Sequence, residues 1–124
     1  MPIVLNHTIV TASDRQAAAK FLADLLGLEV STPAGPFVPV QINDELTFDF
    51  DDRHGVKPAH YAFHIDDATF DGVLRYLHRH PDVEFGSGRA REWDREIDDS
   101  GEGRAVYVRD PDGHSYEFFT VVPA

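Results

Sequence analysis

The chain has 124 residues, 42% hydrophobic and 27% charged, which suits an ordinary globular domain with a packed core. Its formal net charge of -11, from 22 acidic and 11 basic side chains, leaves no basic stripe to neutralise phosphates and excludes a nucleic-acid partner. There is no cysteine, which excludes disulfides, a thiolate nucleophile and Cys-rich zinc sites, and no apolar run approaches the roughly 18 residues of a membrane helix.

The opening Met-Pro-Ile-Val-Leu-Asn-His lacks a basic region and a long apolar stretch, so a cytoplasmic location is expected. Residues 3–11 alternate and are rich in Ile, Val and Thr, which predicts a strand. Ser13 or Asp14 offers an N-cap. From Gln16 to Leu26, Ala18, Phe21, Leu22, Leu25 and Leu26 fall at helical spacing, and Gly27 is placed to end that helix. Leu28–Ser31 reads as a short strand. Pro33, Gly35 and Pro36 mark a turn, and Phe37–Ile42 and Leu46–Asp51 read as strands around an Asn43-Asp44 hairpin. Residues 53–58 carry Gly55 and Pro58 without periodicity and read as a linker.

The same order then repeats. His60–Ile65 is a strand, and Asp66 or Asp67 caps a helix burying Phe70, Val73, Leu74 and Leu77. Pro81 stops it. Val83–Phe85 is a short strand. Residues 86–103 are long and polar, with Arg91–Ile97 able to mirror Phe37–Ile42 and the remainder a loop near a mouth. Arg104–Arg109 and Ser115–Val122 are the final strands, joined by the turn Asp110-Pro111-Asp112-Gly113. Each copy is therefore β-α-β-β-β, with module 1 at about residues 1–52 and module 2 at about 59–124 of one domain.

The repeat carries a matched pair of histidines. Asn6–Asp14 and Ala59–Asp67 each run from His7 or His60 through an apolar stretch to an Asp, without a gap. Side chains alternate across a strand, so each strand sorts into two faces. One set is apolar and belongs under the helices. The other gathers His7, Asp49, His60, His64 and Glu117. Taken singly, each fits a wet sheet face. Together, at matching places in two copies, they point to a metal or polar-ligand site. Two imidazoles and a carboxylate can hold a divalent metal and leave positions open for substrate. His54, His78, His80 and His114 are expected at the surface.

At these residues the chain resembles the vicinal oxygen chelate superfamily of glyoxalases, fosfomycin- and bleomycin-resistance proteins and extradiol dioxygenases. The likeness spans nearly the whole chain. It rests on the paired histidines, on Leu25-Leu-Gly-Leu28, and on Val106-Tyr107-Val108-Arg109-Asp110-Pro111-Asp112-Gly113-His114-Ser115-Tyr116-Glu117. The resemblance implies an α+β fold of two βαβββ modules curling into a cup with helices outside. It implies His7, His60 and Glu117 as metal ligands and Asp49 as an accessory carboxylate one methylene shorter than the usual Glu. It implies a divalent ion, with Fe, Mn, Ni, Zn and Co not distinguished. It also implies a small-molecule substrate and a homodimer, since the cup is often completed by modules from two chains. Tyr107 matches a tyrosine of the dioxygenase pattern, but 96–100 lacks that pattern's His, and His64 is the alternative proton partner. Trp93, Phe37 and Phe119 are candidates for the mouth. The expected function is a metal-dependent lyase, isomerase or dioxygenase that chelates two substrate oxygens. The alternative is a non-catalytic protein that sequesters a drug or natural product.

Overall fold

The computed structural model describes residues 2–88 and 92–122. The chain divides into two compact units, Met1–Lys57 and Pro58–Ala124, and its architecture is α+β. The first unit contains β1 (His7–Thr11), α1 (Arg15–Leu26), β2 (Val38–Gln41) and β3 (Thr47–Asp51), with sheet order β1-β3-β2. The second contains β4 (His60–His64), α2 (Asp67–Arg79), β5 (Phe85–Gly86), β6 (Ala105–Arg109) and β7 (Ser115–Phe119), with order β4-β7-β6-β5. Among the described residues no helix is long and apolar enough to cross a membrane.

Local chemistry sets the helix ends. Asp14, rather than Ser13, caps α1 by accepting from the Ala17 amide at 3.0 Å. Gly27 closes it at φ 70°, a left-handed conformation in which its N–H reaches the Ala23 carbonyl. Asp66 caps α2 by accepting from the Thr69 amide at 2.8 Å. α1 buries Ala18, Ala19, Leu22, Ala23 and Leu25 and packs on β2 and β3, while Phe21 and Leu26 are half-buried. α2 buries Phe70, Val73 and Leu77 and leaves Leu74 half-buried.

The strands sort as alternation requires. Val10, Val38, Val40, Phe48 and Phe50 are buried in the first unit, and Val106, Val108, Tyr116 and Phe118 in the second. Each buried Phe contributes on the order of 1.5–3 kcal/mol through surface removed from water. The opposite faces carry the polar set.

The two units repeat at the level of register. β1 runs parallel to β3 with His7 opposite Thr47 and Ile9 opposite Asp49. β4 runs parallel to β7 with His60 opposite Ser115 and Ala62 opposite Glu117. Pro39 faces Asp49 across the antiparallel pair β2–β3, and Tyr107 faces Glu117 across β6–β7. Val30 bridges Val40 as Phe85 pairs with Val108. His7 and His60, Asp49 and Glu117, and Pro39 and Tyr107 are thus equivalent positions.

Several expectations differ in the structure: the first strand begins only at His7, and the strand expected at Val83–Phe85 is Phe85–Gly86. Leu28–Ser31 forms only the bridge Val30–Val40. Pro39 accepts from the Ser31 amide at 2.9 Å but has no N–H to return, so that ladder cannot extend. Residues 92–97 form no strand, because Glu92, Trp93 and Arg95 adopt φ of 51°, 61° and 61°, outside extended geometry; residue 91 lies outside the described residues. The last strand stops at Phe119, three residues before Val122.

Candidate metal centre and cavity

β4 and β7 bring together residues far apart in sequence. Because Ser115 and Glu117 are two apart on β7, both face the same side, and His60 lies against them from β4. The imidazole spans both: Nδ1 lies 3.2 Å from Ser115 Oγ, and Nε2 lies 3.0 Å from Glu117 Oε1. The Tyr107 ring stacks beside it, with centroids 5.9 Å apart and planes at 22°. The His60 and Glu117 side chains are 28% and 19% exposed, reachable from solvent yet partly desolvated.

This pair fits a metal's demands. Two ligands bound at about 2.1 Å and at right angles have donor atoms about 3.0 Å apart, as a neutral imidazole and a carboxylate do in known sites. His60 Nε2 and Glu117 Oε1 have that separation already. A metal there would take the place of the proton they share. Within either unit, no three His, Asp or Glu side chains gather as a metal-holding group among the described residues.

Glu117 and Tyr107 also face a cavity of about 680 Å³, within the range of small-molecule sites. Phe119, Val121 and Val122 supply apolar wall, and Ser87, Asp98 and Ser100 supply polar wall. Local contacts hold the cavity-lining residues 98–103. Asp98 Oδ1 accepts from the Ser100 amide at 3.0 Å and hydroxyl at 2.6 Å. A Cβ on Gly103 would lie 2.6 Å from Val121 Cγ2 and 2.7 Å from Thr120 Oγ1, so only glycine allows that approach. Arg104 lines the cavity, but its guanidinium donates to Asp67 and Asp71 at 2.9 Å each and sits over the Phe70 ring. Of the expected mouth residues in this unit, Phe119 lines the cavity and Trp93 does not.

In the first unit, His7 and Asp49 occupy one face of β1 and β3, offset as His60 and Glu117 are. His7 is exposed, with Nδ1 2.9 Å from Asn6 Oδ1, and Asp49 is half-buried. Pro39 stands where Tyr107 stands, so the first unit has no phenol at that place. Phe37 is half-buried beneath the Arg53 guanidinium, 5.6 Å from its ring centre. His64 Nε2 donates to the Thr120 carbonyl at 3.1 Å, and its ring stacks on Phe119. It sits four residues along β4 from His60, about 13 Å at strand rise.

One histidine contradicts its sequence reading. His114 is not at the surface: its relative exposure is 0%. Its Nδ1 accepts from the Ala59 amide at 3.0 Å, and its own amide donates to Asp110 Oδ1 at 2.8 Å. A backbone amide can only donate, so the ring proton sits on Nε2. The turn Asp110–Gly113 folds His114 inward, where it ties the start of β7 to the residue before His60. Burial pushes the Asp110 carboxyl up, opposed by the neighbouring His114. His80 is also half-buried, stacked on Tyr76 at 3.9 Å, whereas His54 and His78 are exposed. Sequence alone does not single out Ser115 as a partner of His60. The available signal was its spacing of two from Glu117, which puts both on one face.

Two modules repeated in register, with a histidine on the first strand of each and a carboxylate on the last, define a class. The chain has the vicinal oxygen chelate fold and belongs to one family with oxidases ChaP-H1 and ChaP-H2. It is 42% identical to a solved structure of oxidase ChaP-H1, with 98% of each chain covered and a TM-score of 0.88. It is 40% identical to oxidase ChaP-H2, covering 98% of this chain and 96% of that one, with a TM-score of 0.89. Fosfomycin resistance protein FosX from Mesorhizobium loti shares the fold at 20% identity, with coverage of 98% and 95% and a TM-score of 0.72. No protein-family model matches the chain.

Proposed function

We propose that this protein is a metal-dependent oxidase that binds a small substrate through two adjacent oxygens. The observation that carries the reading is the His60–Glu117 pair, whose donor atoms lie 3.0 Å apart, with Glu117 itself on the wall of a substrate-sized cavity. Identity of 40–42% to two proteins named oxidases supports oxidation over the lyase and isomerase reactions of other superfamily members. His7 is the third ligand, and the site is completed in a homodimer. Asp49 is an accessory carboxylate. A divalent ion held there supplies Lewis acidity and, as Fe(II), dioxygen chemistry.

The chain's own residues do the rest. His60 and Glu117 would hold the ion through Nε2 and Oε1. Tyr107, opposite Glu117, presents its phenol to a substrate oxygen, donating a hydrogen bond that stabilises negative charge as it develops. Phe119, Val121 and Val122 offer apolar contact to the substrate on that side. His64, about 13 Å along β4 from His60, would act as a proton acceptor only for a substrate that reaches the far end of that strand.

The test is elemental analysis of untagged protein, followed by dioxygen uptake with catechol-type probes under each metal. Wild type takes up one divalent ion per site, and His60→Ala abolishes both metal and dioxygen uptake. A site still empty after supplementation, with an unmoved melting temperature, refutes the reading. Binding of aromatic ligands that survives chelator and His60→Ala supports the sequestering alternative instead.

A further inference from the structure

We propose that Ser115 is a positioning residue for His60, a hydroxyl that holds the imidazole both before and after a metal enters; the proposal rests on His60 being a ligand. The ring is bonded at both nitrogens by residues of one strand. Nε2 lies 3.0 Å from Glu117 Oε1, and Nδ1 lies 3.2 Å from Ser115 Oγ. A carboxylate only accepts, so Nε2–H donates to Glu117, and in the neutral ring Nδ1 is left as an acceptor for the Ser115 O–H. A metal on Nε2 reverses the roles. The neutral ring then carries its single proton on Nδ1, which donates to Ser115 Oγ. The ring keeps one proton throughout, and the hydroxyl turns from donor to acceptor.

A hydroxyl is suited to this and other common partners are not. A backbone carbonyl or a carboxylate can only accept, and would hold the Nδ1–H form alone. Ser115 itself is held firmly. Its amide donates to the Ala59 carbonyl at 2.9 Å, and the Ala59 amide donates to buried His114 at 3.0 Å. The residues just before His60 and Ser115 are therefore tied together. In the repeat the position opposite His7 is also a hydroxyl residue, Thr47, but there the imidazole Nδ1 lies against Asn6 Oδ1 instead.

The experiment compares wild type, Ser115→Ala and Ser115→Thr by 15N NMR of the His60 ring, metal-free and with Zn2+, and by Zn2+ affinity in chelator competition. In wild type, Nδ1 is unprotonated without metal, and a protected Nδ1–H appears with Zn2+. Ser115→Ala shifts the metal-free Nδ1 resonance, exposes the Nδ1–H to exchange and weakens Zn2+ binding by about 10- to 100-fold, the usual loss for an outer-shell partner. Ser115→Thr restores all three, and melting temperatures stay alike. An unchanged Nδ1 resonance in Ser115→Ala overturns the proposal, as does an unchanged Zn2+ affinity. If wild type binds no Zn2+, the ligand reading of His60 fails, while the metal-free Nδ1 resonance still decides whether Ser115 holds the ring.

Discussion

Replacing His114 by Phe removes a buried hydrogen-bond acceptor together with the ring Nε2–H. The ring is fully enclosed, and Phe keeps most of its volume and its tilted contact with Tyr61, centroids 6.2 Å apart. What the Ala59 amide loses is Nδ1, its acceptor at 3.0 Å. A buried donor left without a partner costs about 1–3 kcal/mol. Ala59 is only half-buried, so the lower half of that range applies. For a chain of 124 residues, each kcal/mol moves the melting temperature by about 4 °C, so a drop of roughly 4–8 °C is expected. Urea unfolding gives the free energy, and amide exchange at Ala59 gives the site. Ala59 precedes His60, so Zn2+ affinity falls as well. Stability within about 0.5 kcal/mol of wild type, the scatter of neutral surface changes, together with unchanged Ala59 protection, refutes the reasoning.

Three further outcomes are expected. The Arg53 side chain, bonded to Asp51 through two atoms at 3.0 Å, holds the Asp51 carboxyl at about 2. Its folded value lies below its unfolded one, so the stabilisation is complete above about pH 4 and is lost as pH falls toward 2. Melting curves across that window should be steeper in pH for wild type than for Arg53→Met, and equal slopes contradict the assignment. Gly103→Ala forces a methyl against Val121 and Thr120, costs about 1–3 kcal/mol as other overpacked sites do, and weakens ligand binding in the adjoining cavity; a variant as stable as wild type refutes the close approach. If His7 joins His60 and Glu117 across a homodimer, His7→Ala and Glu117→Ala chains each lose Zn2+ but regain one intact site per mixed dimer. Variants that remain inert after mixing rule out the shared arrangement.

Short-range order was legible in the sequence. Alternation placed His7, Asp49, His60 and Glu117 opposite Val10, Phe48, Phe50 and Phe118, because a strand's two-residue period is local. Gly27 and Asp66 announced a helix end and a helix start, because capping is a contact within a few residues. The internal repeat needed only comparison of the chain with itself. Pairing was different. That Ser115 and Glu117 both reach His60 depends on the register of β4 against β7, across separations of 55 and 57 residues. Neither strand alone specifies which residue of the other it will meet. His114 reads as a turn residue until the turn folds it inward to meet the Ala59 amide. Val30 reads as part of a strand until Pro39 withholds the hydrogen bond that would extend it. The sequence by itself determined the elements, their faces and the pairs of chemically useful residues. Only the tertiary structure decided which of those residues touch, because nonlocal hydrogen bonds and burial are properties of the assembled sheet.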